Sequence, residues 1–499
     1  MAVLIGATFI VYLLLAYALD PLEDLRTSSA PNKALLIESR TQLLDLDTPP
    51  AIRWVKWLGG IAGCAVGRCD LGSSWRTGEP VSAMLGSAIP ATVQLVGAAT
   101  ILAVALGITV GVASALRQYS GFDYGVTVLA FVVYSLPSFW VAVLFKLWGA
   151  IGFNDFLRDP RLSPATIIAL ALAAGALWQV VVGGEWRRRL VVFGASAAAT
   201  AGVLGVVSAT RWLLDPGLGP VGIGVLGAGA AVALTALSTG LRDRRTLVAA
   251  LVVVAIGIAA YHPLQFAFAH ATALLVGALA VVALVVGAAV GRVVGGLDRA
   301  PAVRTAALTG LVVAGLLVAD RLMAAWGAYS SSPFVGGRPI ATIGARTPGL
   351  RGDFWIQSVD TFTHLVLPTT VLVLVSFASY TRYSRASLLE ELNQDYVRTA
   401  RAKGLPERVV VVRHAFRNAL IPLATLVPLD IAYLFGGAII TERIFGWNGM
   451  GALFLRALDA RDADPIMGYF IVVGALLILA NVVVDLLYSV LDPRIRVNA

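Results

Sequence analysis

The residues of this chain that could take part in chemistry are few and isolated. Asp430 and Lys146 are single charges inside long apolar segments, where an unpaired charge is costly. Asp430 and Lys146 could pair with each other or with other opposite charges. Alternatively, each could face a polar pathway. Cys64 and Cys69 are the only cysteines, and a disulfide and two free thiols are both open to them.

The sequence lacks the motifs of the common enzyme classes. It contains no G-x-x-x-x-G-K-[ST] phosphate-binding loop, no H-E-x-x-H and no G-x-S-x-G. His262 and His270 are eight residues apart rather than four, so we expect interfacial or capping histidines and no metal site. These patterns predict a chain that is not an enzyme and binds neither ATP nor a metal itself.

The composition is that of a membrane protein. Hydrophobic residues make up 58% of the chain, charged residues 13%, and the mean hydropathy is +0.83. A soluble domain is nearer one-quarter charged. The net charge of +9 does not indicate nucleic-acid binding, because the basic residues gather in loops beside apolar runs.

Apolar runs of about 20 residues predict about a dozen membrane spans. The first, near 2–19, lacks a basic n-region and a cleavage site, so we expect a retained helix and not a signal peptide. The other predicted spans lie near 92–116, 125–150, 163–183, 189–209, 219–240, 246–262, 267–291, 305–325, 363–385, 418–440 and 466–490.

A short basic segment lies between two of these spans. We call residues 395–417 the docking segment. Asp395 is a candidate N-cap, Gly404 a helix stop, and Pro406 can open a second helix. A basic helix that is outside the bilayer, yet held by helices inside it, can transmit an external force to the membrane domain.

The docking segment resembles the "EAA" loop of bacterial ABC-importer permeases, and most closely that of the oligopeptide/dipeptide/nickel branch. The resemblance rests on Arg398-Thr-Ala-Arg-Ala-Lys-Gly404 with Leu405, on the continuation 414–422, on Leu136-Pro-Ser-Phe-Trp140 and on the tail 485–494. Arg398 stands where the general motif has an acid, as is usual in this branch. The similarity covers roughly residues 50–150 and 340–499.

The resemblance implies a fold, a set of partners and a mechanism. The fold is an all-α polytopic membrane protein with the type I ABC-importer core of about six helices. The implied partners are a second related permease, two ATPase subunits, an extracytoplasmic binding protein and the lipid bilayer, with no nucleic acid. ATP and Mg are bound by the ATPase subunits, which push the residues Arg398, Thr399, Ala400, Arg401, Ala402, Lys403, Gly404 and Leu405.

The chain departs from this family in its middle third. About six extra spans, rich in Ala, Val, Leu and Gly, occupy residues 151–325. We predict three parts: core spans with an external loop at 20–91 in residues 1–150, the inserted bundle in 151–325, and the remaining core with a coupling loop at 386–417 in 326–499. The insert is either a packing shell whose small residues permit close helix approach or an accessory bundle for a partner, lipid or regulator.

Loop charges give the orientation. With residue 1 cytoplasmic, the Arg-rich loops at 187–189, 242–245 and 292–304 fall inside, while the loops at 210–218 and 263–266 fall outside with Arg211 as their only basic residue. An even number of inserted spans then leaves the docking segment cytoplasmic. We expect a multi-pass protein of the bacterial plasma membrane with both termini in the cytoplasm.

The external loop 20–91 is expected to contain amphipathic interfacial segments around Trp54, Trp57 and Trp75. By the resemblance, Asp70-Leu-Gly-Ser-Ser-Trp-Arg-Thr-Gly78 helps to receive a substrate-loaded binding protein; the alternative is a loop that only covers the bundle. The oxidising exterior permits a disulfide there.

The expected substrate is a short peptide, and nickel or another small solute is the alternative within the same machinery. Asp430 then either favours the ammonium group of a peptide in the pathway or pairs with Lys146 or with the partner permease. A secondary transporter is the alternative class, although the sequence shows neither repeated halves nor paired broken helices.

Overall fold

Long apolar runs form long helices that run back and forth between two ends of one bundle. The computed structural model describes residues 2–29, 31–64, 67–296 and 299–491. Within this part of the chain there are no strands, only one isolated bridge between Ser73 and Pro80. Asp492 to Arg494, which belong to the C-terminal part of the resemblance, lie outside the described residues.

The first part of the chain consists of a long apolar helix, three short helices in the loop 20–91 and a core hairpin. Their bounds are α1 Ala2–Ala18, α2 Glu23–Thr27, α3 Lys33–Leu43, α4 Pro50–Gly63, α5 Val81–Leu116, α6 Gly121–Ser135 and α7 Ser138–Phe156.

The middle part is a bundle of its own. Its helices are α8 Pro164–Val182, α9 Trp186–Thr210, α10 Gly219–Ser238, α11 Arg244–Ala259, α12 Tyr261–Ala269, α13 Ala273–Val294 and α14 Arg299–Ser330.

The last part returns to the core and contains the docking segment. Its helices are α15 Phe354–Leu392, α16 Asp395–Ala402, α17 Glu407–Ala419, α18 Ile421–Gly437, α19 Ile439–Phe445, α20 Met450–Asp459 and α21 Ala463–Leu491. By length and composition, ten helices of the described residues can cross a membrane, or up to twelve if each of two bent helix pairs counts as one span.

The predicted span 125–150 is wrong as a single helix. The chain forms α6 and α7, which are separated at Leu136 and Pro137, where Leu136 has an extended backbone. Proline has no N–H and disfavours helical geometry in the residue before it. The second span also begins earlier than predicted, at Val81.

One further predicted boundary shifts, and two pairs of neighbouring helices are bent against each other. The span predicted at 267–291 begins at Ala273, because Thr272 caps α13 by accepting a hydrogen bond from Leu275 N. α12 is a separate short helix that is bent by 54° against α11. Pro422 lies at the start of α18, which is bent by 41° against α17.

The core is formed where α5 packs along α15. An added Cβ on Gly107 would lie 2.5 Å from Tyr380 Cβ, and one on Gly111 would lie 2.6 Å from Thr381 O. Glycine therefore lets the two backbones approach closely. The largest apolar cluster extends from this contact to α18, α20 and α21.

The insert has its own apolar cluster, built from α10, α11, α12 and α14. It joins the core at one end of the bundle, where Trp355 of α15 belongs to the same cluster and its Nε1 donates to Phe268 O at 2.7 Å. Asp320 closes the neighbouring loop by accepting from the backbone N–H groups of Leu218 and Gly219 at 2.7 and 2.8 Å. We call this the outer end of the bundle, and the end that contains the docking segment the docking end.

Candidate functional site

The docking segment begins with α16, which starts one residue earlier than predicted. Gln394, with an extended backbone, is the N-cap residue and makes no side-chain capping bond, so the prediction of Asp395 as N-cap is wrong. Asp395 is the first helical residue, and its carboxylate lies 3.4 Å from Arg398 Nη1. A carboxylate in the first turn still favours the helix through the helix dipole.

α16 has one buried and one exposed face. Val397 and Ala400 are 0% and 5% exposed, and both pack in a small apolar cluster with Leu388, Val410 and other residues of the docking end. Ala400 therefore cannot offer its side chain to a partner. The other seven predicted coupling residues are exposed: Arg398, Thr399, Arg401, Ala402, Lys403, Gly404 and Leu405.

A glycine and an ion pair shape the turn after α16. Gly404 has a φ of +75°, the left-handed conformation that ends many helices. Arg401 donates to both carboxylate oxygens of Glu407, at 2.6 and 3.1 Å. Pro406 is the N-cap residue of the next helix, which begins at Glu407. The turn is thus fixed at its backbone and bridged by side chains.

The docking segment is also bonded to the spans on both sides of it. Tyr396 donates to Glu391 of α15 and accepts from Asn418 Nδ2 at 3.0 Å. Burial and the bond to Glu391 raise the pKa of Tyr396 to about 12, so this hydroxyl stays protonated. Ser387 of α15 donates to Ala419 O at 2.9 Å. Asn418 and Ala419 belong to α17, so these bonds connect α16 and α15 with the end of α17 that leads into α18.

The two predicted mid-span charges do not meet. Lys146 Nζ donates to Ile444 O at 2.8 Å, and no ion pair joins it to Asp430 within the described part of the chain. The predicted Asp430–Lys146 pair is thus not formed. Asp430 is half-buried on α18.

Asp430 lies beside an apolar groove between α5 and α18. Val427 and Ile431, its neighbours on α18, line this groove of about 450 Å³, together with Val93 and Thr100 of α5. Thr100 Oγ1 is buried without a hydrogen-bond partner.

The external loop is held on the bundle at two points. Trp57 is buried against Tyr12 and Met467, so it packs inside the protein and not at the interface as predicted. Ser74 donates to the buried Asp462 at 2.6 Å, and burial raises the pKa of Asp462. The sulfur atoms of Cys64 and Cys69 are bonded in the structure.

The comparison with known proteins decides the family. The family described as "Binding-protein-dependent transport system inner membrane component" matches residues 246–497, just over half of the chain. The chain belongs to this family. It is an all-α multi-pass membrane protein whose core has the type I importer fold.

Two relatives show the branch. The oligopeptide transport system permease protein OppB of Mycobacterium tuberculosis is 39% identical over 187 residues, which are 38% of this chain and 55% of the relative. The dipeptide transport system permease protein DppB of Escherichia coli K12 is 45% identical over 138 residues, 28% of this chain and 41% of the relative. The chain thus spans about half the length of the curated relatives it matches, or somewhat less.

Sequence reasoning missed two buried polar sites of this transport component. Asp123 accepts two hydrogen bonds from Arg385, at 2.7 and 2.9 Å, and one from Ser114 at 2.5 Å. Glu442 is 0% exposed and accepts from Thr92 Oγ1 at 2.7 Å. Glu442 stands next to Arg443 and Asp123 follows Arg117 by six residues, so neither carboxylate stands out in the sequence as an isolated charge inside an apolar run.

Neither site is built like a metal centre. Among the described residues no group of three or more His, Cys, Asp or Glu side chains could hold an ion. His262 has its ring edge-on to Tyr261, with centroids 5.2 Å apart, and His270 is the C-cap residue of α12.

Proposed function

We propose that this chain is one half of the translocation pore of an ATP-driven importer that takes up short peptides. The observation that carries the proposal is the docking segment: a short helix with an exposed basic face, bonded to the spans on both sides. The printed functions of the relatives, oligopeptide and dipeptide transport, support the substrate class. Membership of a binding-protein-dependent family argues against the secondary-transporter alternative.

The proposal includes the partners. They are a second related permease, two ATPase subunits that bind ATP and Mg, and an extracytoplasmic binding protein. The docking end faces the cytoplasm of a bacterial cell, and the external loop receives the binding protein. The three-part division at residues 150 and 325 belongs to the same proposal.

In the proposed mechanism, ATP hydrolysis is coupled to transport by a displacement of helices. Closure of the ATPase pair displaces the exposed face of α16, and the bonds of Tyr396 and Ser387 pass this displacement to α15 and to the end of α17 that leads into α18. The two spans then exchange an outward opening for an inward one. Such coupling requires that ATP binding favours one of the two conformations.

The experiment is ATP-dependent uptake of labelled di- to pentapeptides into vesicles that contain the reconstituted complex. Gly404→Asp places a negative charge on the docking face, and Gly404→Asn is its uncharged control of the same size. We expect uptake with the wild-type and Asn complexes and loss with the Asp complex, while co-purification shows that assembly is intact. If no peptide is taken up although a loaded binding protein stimulates ATP hydrolysis, the substrate is nickel or another small solute.

A further inference from the structure

Nine arginines of the insert lie at the docking end, at or next to the ends of its helices. All nine are exposed. We call them the arginine rim: Arg187, Arg188, Arg189, Arg242, Arg244, Arg245, Arg292, Arg299 and Arg304.

The rim has almost no counter-charge. Within the described residues, none of its guanidinium groups forms an ion pair with a carboxylate. The same three segments contain Glu185, Asp243 and Asp298, so nine arginines and three acids leave a net charge of +6. Asp243 is engaged in capping α11, where it accepts from Thr246 N at 3.2 Å and from Thr246 Oγ1 at 2.5 Å. Asp298 lies outside the described residues.

Two of the three loops that carry the arginine rim are in contact with each other. Arg245 lies against Gly296, which brings the loop before α11 next to the loop before α14. Arg299 Nε donates to Gly296 O at 3.0 Å. The third loop begins α9, which packs on α8 at the edge of the insert.

Exposed apolar side chains beside the arginines indicate where the rim lies relative to the membrane surface. Trp186 is 70% exposed, Val191 69%, Leu241 52% and Val293 84%. Such side chains are favourable in a bilayer and not in water, and tryptophan prefers the headgroup level. The guanidinium groups therefore lie where the membrane surface begins, and not in a domain that projects into water.

The rim lies at the same end as the docking segment. Arg408 of α17 donates to Leu237 O in the last turn of α10, five residues before Arg242. The opposite end of the insert is balanced in charge: four arginines (Arg158, Arg161, Arg211 and Arg321) stand against four acids (Asp155, Asp159, Asp215 and Asp320). Arg211, for example, pairs with Asp159 at 3.5 Å. The charge asymmetry is thus a property of the folded insert.

We propose that the arginine rim binds the headgroups of anionic phospholipids in the leaflet at the docking end. The planar guanidinium fork matches phosphate oxygens, and basic residues at a membrane surface are attracted to anionic lipids. An ATPase subunit is the less suitable occupant, because the rim extends along the lipid-facing edge of the insert to α9. Through Leu237 and Arg408, the lipid-bound insert supports the docking segment.

The experiment counts lipids that stay bound to the purified full-length complex. The complex is extracted from equal mixtures of phosphatidylglycerol and phosphatidylcholine, and retained lipid is measured by mass spectrometry. Three triple Arg→Gln variants neutralise the rim loop by loop, at 187–189, at 242, 244 and 245, and at 292, 299 and 304. The matched control is Arg338→Gln/Arg346→Gln/Arg351→Gln, three exposed arginines of the outer end.

We expect phosphatidylglycerol to be enriched on the wild-type complex and lowered roughly fivefold or more by the 242/244/245 variant. The outer control should retain it fully, and the corresponding triple Arg→Lys variant, which keeps the charge but not the planar fork, should retain more of it than the Gln variant. Unchanged retention in the Gln variants, or an equal loss in the outer control, overturns the proposal. Loss of the ATPase subunits with unchanged lipid would assign the rim to a protein partner and also overturn it.

A salt series on the wild-type complex tests the proposal without any variant that must fold. Retained phosphatidylglycerol should fall as ionic strength rises, because salt screens exposed charges. Retention that does not depend on salt contradicts a headgroup site built from exposed arginines.

Discussion

Arg401 and Glu407 are joined by two hydrogen bonds across the turn that ends the docking helix, with Nη2–Oε1 at 2.6 Å and Nε–Oε2 at 3.1 Å. Two of the three basic residues of the predicted docking face therefore have a counter-charge within their own chain, since Arg398 also lies 3.4 Å from Asp395. Lys403 is exposed and forms no ion pair among the described residues.

Exchanging the charges of Arg401 and Glu407 tests whether the ion pair holds the turn in shape or whether the positive charge of Arg401 contacts the ATPase. We expect Arg401→Glu or Glu407→Arg alone to lower ATP-coupled uptake several-fold, because like charges then face each other across the turn. The double exchange should restore most of the uptake. The effect on stability should be small, about 0–1 kcal/mol, since the pair is exposed.

The control is the exposed Arg26–Asp20 pair of the external loop, at 2.7 Å, where Arg26→Gln should leave coupling unchanged. Uptake is compared with ATP hydrolysis in each complex. A double exchange as inactive as the single variants would mean that the positive charge of Arg401 itself contacts the ATPase.

Gly404 should tolerate asparagine far better than valine. Its φ of +75° costs other residues about 1–2 kcal/mol, least for asparagine and most for a β-branched side chain. No atom lies within 4 Å of an added Cβ, so the effect arises in the backbone and not from a clash. We expect Gly404→Val to lower uptake several-fold and Gly404→Asn to retain most of it.

The matched control is Gly59→Val, in an external helix with equally open space. Both variants are measured for uptake and for co-purification of the partner subunits. Equal activity of Gly404→Val and wild type would show that the turn geometry is not required for coupling.

Asp430 is proposed to face the substrate pathway, because Lys146 is engaged elsewhere and no cation pairs with Asp430 among the described residues. Asp430→Asn should raise the peptide concentration for half-maximal uptake roughly tenfold, the loss of one charge-assisted hydrogen bond. Nα-acetylated peptides should be taken up equally by both proteins, since they lack the ammonium group. An unchanged concentration dependence for free peptides removes Asp430 from the pathway and points to the partner permease.

Glu442 should make stability depend on pH. Burial raises the pKa of this carboxyl above its ordinary value of 4.5. The folded protein then binds a proton more tightly than the unfolded chain, so this stabilisation is full below pH 4.5 and is lost as the pH rises through the folded-state pKa. The melting temperature should therefore fall as the pH rises above 4.5.

Glu442→Gln imitates the protonated carboxyl and should flatten this dependence. Gln can keep the bonds to Thr92 Oγ1 and Ala452 N that the carboxyl makes at 2.7 and 3.0 Å. The control Glu38→Gln changes an exposed side chain and should leave the slope as in wild type. An identical slope in Glu442→Gln and wild type would assign the pH dependence to other groups.

Periodic and compositional signals predicted most helices of the bundle. Apolar length identified the spans because the bilayer requires about 20 apolar residues regardless of what they contact. The family could be recognised for a similar reason: residues 398–405 form one contiguous segment, the second half of α16 and the turn after it, so the motif is complete in the order of the chain.

Breaks within spans were harder to predict. Pro137 divides a single apolar run into α6 and α7, although Pro90 and Pro368 lie inside continuous helices. Whether a proline ends a helix depends on whether neighbouring helices hold the chain straight around it, and the sequence does not state those contacts.

The sequence by itself determined that this is a multi-pass membrane protein with a basic docking helix and a charge-asymmetric insert. Only the tertiary structure decided which charges meet. Lys146 bonds to a backbone carbonyl and not to Asp430, Asp123 meets Arg385 across 262 residues, and Glu442 meets Thr92 across 350. Hydropathy acts along the chain, one residue at a time, whereas a hydrogen bond depends on a few ångströms between helices that are distant in sequence.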